Sequence, residues 1–248
     1  MNQFKTAPAL LVATCMMFLS SCGNNQQKNE AATTDTSTSA TTTTTTTASS
    51  KTDIDTTPQT MLLVRHKVAN YAKWKLSYDS HDSFRIASGI HNYVIARGVE
   101  DSNMLLVATK ADDVAKAKAF AKDPSLKAAM QKGGVIGSPL ISLTTTVYQD
   151  NSQNMSDLRA MTNFTVKDWN AWKKAFESNR QFRAEQGLTD RAYGHDVDDN
   201  HKVTLVVAIN DTAKANAYWN SAAIKQKRAE SGVVGEVKRF VYHVVQKY

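Results

Sequence analysis

Cysteine is nearly absent: only Cys15 and Cys22 occur in 248 residues. No disulfide framework can hold the body of the chain, so its stability has to come from apolar burial. Glycine-rich phosphate cradles, a Gly-x-Ser-x-Gly elbow and a thiol nucleophile in the body of the chain are missing too, which removes the usual signs of nucleotide binding and of nucleophilic hydrolysis. The six histidines, His66, His81, His91, His195, His201 and His243, form no His-x-x-His or Glu-x-x-His pair, so no metal site is expected. Asp196 to Asn200 places oxygens at the first, third and fifth positions of a calcium loop. Glycine at the sixth and glutamate at the twelfth are lacking, and the segment reads as a polar hairpin loop. The net charge is +7 without any Lys/Arg block: Lys and Arg outnumber Asp and Glu by 12 to 8 over residues 61–150 and by 15 to 11 over residues 151–248, so each half carries +4. A charge spread this evenly is a solvated surface, and nucleic acid is not an expected partner.

What is present begins with an apolar run, Ala7 to Leu19, behind Lys5. It has the length of a signal-peptide core and is too short to span a bilayer. Leu19-Ser20-Ser21-Cys22 resembles the bacterial lipobox, which implies cleavage after residue 21 and lipidation of Cys22. Cys15 would leave with the signal peptide. Two or three acyl chains give durable attachment where one is marginal. The expectation is a lipid-anchored protein of the bacterial cell envelope, on the outer membrane, with the periplasmic or surface face left open. Residues 22–60 are Thr, Ser, Asn, Gln and Ala with almost no large apolar side chain, a composition that cannot offset its ordering entropy and reads as a disordered tether.

The remainder is one unit present twice. Val68, Trp74, Lys75, Ser80, Phe84, Arg85 and Gly89 recur as Val166, Trp172, Lys173, Ser178, Phe182, Arg183 and Gly187, each 98 positions on, and Lys116, Gly134 and Gly137 recur at the same spacing as Lys214, Gly232 and Gly235. Between them, Leu105, Val107 and Ala108 match Leu205, Val207 and Ala208 at a spacing of 100, which predicts a two-residue insertion near Asp198. Duplication organises the chain into repeat 1, residues 61–150, and repeat 2, residues 151–248. Within repeat 1, Met61 to Val68 reads as a strand. Trp74, Tyr78, His81 and Arg85 lie at i, i+4, i+7 and i+11, one face of a helix from Asn70 to Ser88 stopped by Gly89. Two strands, Ile90 to Ala96 and Met104 to Thr109, flank a loop. A helix capped by Asp112 or Asp113 runs to Lys132 with a break at Pro124, and Leu140 to Tyr148 closes the unit as a strand. The order β-α-β-β-α-β is ferredoxin-like, an α+β fold whose helices leave one sheet face bare. Two such units on one chain are expected to pack sheet to sheet as an internal pseudo-dimer.

Val64-Arg65-His66-Lys67-Val68 with Tyr71, Lys73-Trp74-Lys75, Tyr78-Asp79, His81 and Arg85, and later Ala119-Phe120-Ala121, Leu126, Met130 and Gly134-Val135, resembles the antibiotic biosynthesis monooxygenase-like proteins, small dimeric α/β-barrels. The resemblance implies the fused equivalent of that dimer and covers about 85 residues of repeat 1. Members include cofactor-independent oxygenases of quinol-like aromatics and relatives that degrade haem, and fold alone does not choose among these. His66, Trp74, Tyr78, His81 and Arg85 are the candidate ligand-binding set, with His81 as the candidate catalytic base. Repeat 2 has Phe164 and Asn179 where repeat 1 has His66 and His81, so the site is expected in repeat 1 and a structural role in repeat 2. The expectation is binding of a small apolar or aromatic molecule. Cofactor-independent oxygenation of a quinol-like aromatic and haem binding or breakdown stand beside it, and no cofactor other than haem is in view.

Overall fold

The computed structural model describes residues 53–153 and 155–248. The expected signal peptide, Cys22 and the part of the expected tether up to residue 52 lie outside the described residues. The chain runs β1 (Ile54–Asp55), β2 (Gln59–Val68), α1 (Tyr71–Ser80), α2 (Asp82–Ala87), β3 (Ile90–Gly98), β4 (Met104–Ala111), α3 (Val114–Ala121), α4 (Pro124–Lys132) and β5 (Val135–Asp150). The second unit repeats it: β6 (Leu158–Val166), α5 (Trp169–Ser178), α6 (Arg180–Glu185), β7 (Leu188–Asp196), β8 (Lys202–Ile209), α7 (Thr212–Trp219), α8 (Ala222–Glu230) and β9 (Val233–Lys247). Side-chain caps start the helices: Asn70 accepts from the Lys73 N–H at 2.9 Å, Asp113 from Lys116 at 2.8 Å and Asp168 from Ala171 at 2.6 Å. Pro124 sits in the first turn of α4, where its missing N–H costs nothing.

Four expectations need correction. The helix drawn from Asn70 to Ser88 breaks at His81, because the Tyr78 carbonyl that would accept the N–H of Asp82 is taken by Arg85 Nη1 at 2.6 Å. Repeat 2 breaks identically at Asn179, where Arg183 Nη1 takes the Phe176 carbonyl. The predicted insertion near Asp198 does not exist. Arg65 faces Leu106 and Asn163 faces Thr204, so the 98-residue offset holds across β4 and β8. Apolar strands have period two, and a slip of two superimposes equivalent faces, which is why the sequences matched at 100. The last strand of repeat 1 starts at Val135 rather than Leu140, and the expected tether is already strand at Ile54–Asp55 and from Gln59. There β5 outruns β2, and its free edge at Gln149 and Asp150 pairs with β1.

Each unit orders its strands as a ferredoxin-like sheet, β5-β2-β4-β3 and β9-β6-β8-β7, all antiparallel. The long final strands then join the two: β9 pairs with β3 and β5 pairs with β7, so β2 to β9 close into an eight-stranded barrel with edges removed at both seams. Gly194 permits the second seam, since a Cβ there would lie 2.1 Å from the Thr145 carbonyl oxygen. Met61, Leu63, Leu106, Met161, Tyr242 and Val244 pack inside the barrel. The helices cover its outside: Trp74 and Phe120 pack on Leu62, Val64, Leu105 and Val107 in repeat 1, and Trp172 and Tyr218 occupy the equivalent places in repeat 2.

Candidate functional site

Each repeat has a cavity between its helices and the outer face of its half of the barrel. In repeat 1 the structure brings all five candidate residues, His66, Trp74, Tyr78, His81 and Arg85, to the wall of one cavity with Leu126, Met130 and Phe120. The open volume is ≈ 50 Å³. Trp74 is 3 % exposed and stacks between Tyr71 and Tyr78 at 5.8 and 5.0 Å, so it belongs to the core as much as to the cavity. The Tyr78 hydroxyl donates to Asn92 Oδ1 at 2.5 Å, and burial raises its pKa well above the phenol range. Arg85 is committed to structure: Nε to Asn92 at 3.0 Å, Nη1 to the Tyr78 carbonyl, Nη2 to Asp82 at 2.9 Å, and its plane over the Tyr78 ring at 3.7 Å. It shapes the wall and has little left to offer an oxyanion.

The histidines differ from these. His66 sits at an irregularity between Arg65 and Lys67 in the β2–β5 pairing, 4 % exposed, with neither ring nitrogen partnered, and burial lowers its pKa to about 4. His81 Nε2 is also buried without a partner. Its pKa is lowered by burial and then by the Arg85 charge, against a smaller opposing effect of Asp123. Burial thus favours the neutral form of both imidazoles. A buried water needs about 10–15 Å³ and two to four polar partners, so the cavity has room for water that would satisfy these nitrogens. It has no room for an aromatic ring beside Trp74. A haem macrocycle does not fit either: His66 has the right donor chemistry, but Trp74 stands 5.5 Å from its ring and the open volume is a small fraction of a macrocycle's.

Repeat 2 was expected to be the structural half, yet it holds the larger cavity, ≈ 160 Å³. Its aromatic wall is Phe164, Trp172, Phe176, Tyr218 and Trp219. Its helix and strand side carries Lys227, Arg228 and Arg239, at the positions that Ala129, Met130 and Ile141 occupy in repeat 1. Arg239 lies over the Trp219 ring at 3.9 Å with Nε buried and unpartnered, and burial, then the Arg228 charge, lowers its pKa to about 10. Arg228 is lowered by burial as well. Lys227 Nζ donates to Asn179 Oδ1 at 2.7 Å. The one carboxylate on this wall, Glu230, accepts from Gln226 on its own helix. Sequence reasoning missed these three cations. The signal that could have found them was the repeat itself, in which charged residues replace apolar ones at equivalent positions.

The calcium-like segment is a hairpin loop in which Asp198 pairs with Lys118 at 2.6 Å and Asp199 with Lys202 at 3.1 Å. Among the described residues no three His, Cys, Asp or Glu side chains cluster as a metal site, and no helix is long and apolar enough to cross a membrane.

No protein-family model and no curated protein matches the sequence. Solved structures do match. An anthrone oxidase-like protein is 15 % identical with a TM-score of 0.53, over 79 % of this chain and 95 % of its own. A candidate chlorite dismutase is 13 % identical at 0.52, over 76 % and 96 %. A candidate monooxygenase from Fusobacterium nucleatum subsp. nucleatum is 13 % identical at 0.51, over 76 % and 93 %. The chain therefore shares its ferredoxin-like α/β-barrel fold with these solved structures. At these identities the likeness speaks to the fold and not to the reaction.

Proposed function

We propose that this chain is a lipid-anchored protein of the bacterial envelope that binds a small aromatic molecule bearing an acidic group, in the cavity of repeat 2. The observation that carries the reading is the lining of that cavity: aromatic rings on one side, and on the other Arg228 and Arg239, two partly desolvated cations for which no ion pair is formed among the described residues. An apolar cavity of about 150 Å³ accepts benzene, so ≈ 160 Å³ suits a single ring. A carboxylate on that ring would meet the guanidinium forks in their preferred geometry. Titrating the full chain with benzoate tests this, with fluorescence of Trp172 and Trp219 as reporter. Saturable quenching by benzoate, at least tenfold weaker for neutral benzyl alcohol and lost in Arg239→Met, is the expected result. Equal affinity for the neutral compound, or no binding, refutes it.

The anchor rests on Leu19-Ser20-Ser21-Cys22, and Cys22→Ser should release the protein from membranes; full retention would refute lipidation. One observation favours a second reading, proton transfer in repeat 1. His81 carries an unpartnered Nε2 at that cavity, as a base in cofactor-independent oxygenation of a quinol-like aromatic would need, and the cavity has to widen past its ≈ 50 Å³ to admit the ring. Oxygen uptake with a quinol, lost in His81→Asn, would support it, and no uptake by the wild type would remove it.

A further inference from the structure

Among the buried side chains that neither helix-side cavity uses are two arginines at one mouth of the barrel. Arg159 on β6 and Arg191 on β7 are each 5 % exposed. Both line a small apolar void inside the barrel and an open mouth of ≈ 340 Å³ outside it, so together they form the wall between the two. Arg191 is the extra residue of a β-bulge, where Asp190 faces Val207 and Ala192 faces Val206. Tyr93 is the extra residue of the equivalent bulge in repeat 1. Bulges re-aim the side chain they carry, and these two aim a guanidinium and a phenol at the same mouth.

The charges at this mouth do not balance. Arg191 Nη1 donates to the Ser152 carbonyl at 3.0 Å and stands 3.8 Å from Asp150 Oδ1, which itself accepts from the Ser152 N–H. The Arg159 side chain makes no hydrogen bond or ion pair among the described residues, and the Nε of each arginine is buried without a partner. Burial and then the Arg159 charge lower the Arg191 pKa, against an opposing effect of Asp150, so the two guanidiniums disfavour each other. Lys110 lies on the same wall with its ammonium 5.1 Å from the Tyr93 ring, whereas Lys247 is neutralised by Asp157 at 2.8 Å. Arg159, Arg191 and Lys110 stand against Asp150 and the carboxylate of Tyr248, which lines the same mouth, and leave an excess of one positive charge. A guanidinium stays protonated in a protein, and burying one without an anion is among the costliest arrangements a fold can hold.

We propose that the barrel mouth at Arg159 and Arg191 is a binding site for a phosphate dianion, free or as the phosphate of a small monoester. Two guanidiniums with unpartnered Nε groups offer donors to tetrahedral oxygens, and the excess of positive charge at the mouth favours an anion. The site is separate from the repeat 2 cavity and does not depend on how that cavity is used.

Thermal unfolding of the full chain in inorganic phosphate, at ionic strength held constant with chloride, tests it. A saturating rise of about 5 °C is expected once phosphate exceeds its Kd about a hundredfold. Glycerol phosphate in place of phosphate distinguishes the two sources: a larger rise assigns the site to a monoester, an equal or smaller one to free phosphate. Arg159→Met should abolish the rise while unfolding no earlier than the wild type without phosphate, because it relieves the repulsion. Arg239→Met should leave the rise intact. Absence of a rise in the wild type overturns the proposal, even if no variant folds, as does a rise that survives Arg159→Met. An equal rise with acetate overturns the dianion assignment.

Discussion

The two helix-side cavities are built on one backbone and lined for different purposes. Trp74 and Trp172, Arg85 and Arg183, and the helix breaks at His81 and Asn179 are shared. In both repeats an arginine takes the carbonyl that would continue the helix. What differs is what faces the space between helix and sheet: in repeat 1, two unpartnered histidines among Leu126, Ala129 and Met130, and in repeat 2, three cations against aromatic rings. A duplicated unit thus shows which residues the fold requires and which it leaves free. The shared ones make the wall, and the unshared ones set the chemistry.

The largest effect should come from the shared residues. Trp74→Ala and Trp172→Ala should each cost about 3–5 kcal/mol, the usual cost of emptying a buried aromatic site, read by urea unfolding. If either proves silent, the repeats do not share a scaffold and the comparison breaks. Next is His66, whose folded pKa of about 4 lies below the unfolded value near 6.5. Between those values the unfolded chain binds the extra proton. Stability is therefore full above about pH 6.5, falls as pH drops toward 4, and loses about 3 kcal/mol in all. His66→Phe, which copies Phe164, should flatten that part of the stability–pH curve; a curve unchanged in shape would show that His66 is hydrated or partnered in solution. Arg228→Met, copying Met130, should weaken benzoate binding at least tenfold while leaving stability level or slightly raised, because a desolvated cation is removed. The smallest effect belongs to His81→Asn, copying Asn179. His81 Nε2 makes no hydrogen bond to the protein, so the melting temperature should move by no more than a few degrees. A larger fall would make His81 part of the scaffold and erase the difference between the repeats at that position.

The fold was legible where periodicity and punctuation agree. Trp74 to Arg85 marks a helix face, Gly89 and Gly187 adopt φ near +70° as caps, and the doubled β-α-β-β-α-β order asks for a second sheet. The break at His81 was not legible, because it depends on a side chain, Arg85, reaching a carbonyl seven residues back. The false insertion came from strands whose period of two cannot tell a slip of two from none. The site was legible by half. Trp74, Tyr78, His81 and Arg85 line one cavity, as helix spacing implies, with His66 of β2 beside them, but spacing says nothing of how much room Leu126 and Met130 leave. The cations of repeat 2 were hidden in plain composition: Ala222 to Glu230 reads as a solvated charged helix, and only its packing over β9 turns Lys227 and Arg228 toward the cavity.

The measurement that tests the central claim most directly is the location of a bound aromatic acid. A crystal structure of the chain with benzoate should place the ring against Trp172 and Phe176 and the carboxylate between Arg228 and Arg239, with no ring in the repeat 1 cavity. A ring bound in the repeat 1 cavity beside Trp74 and His81, with the repeat 2 cavity empty, would contradict the account.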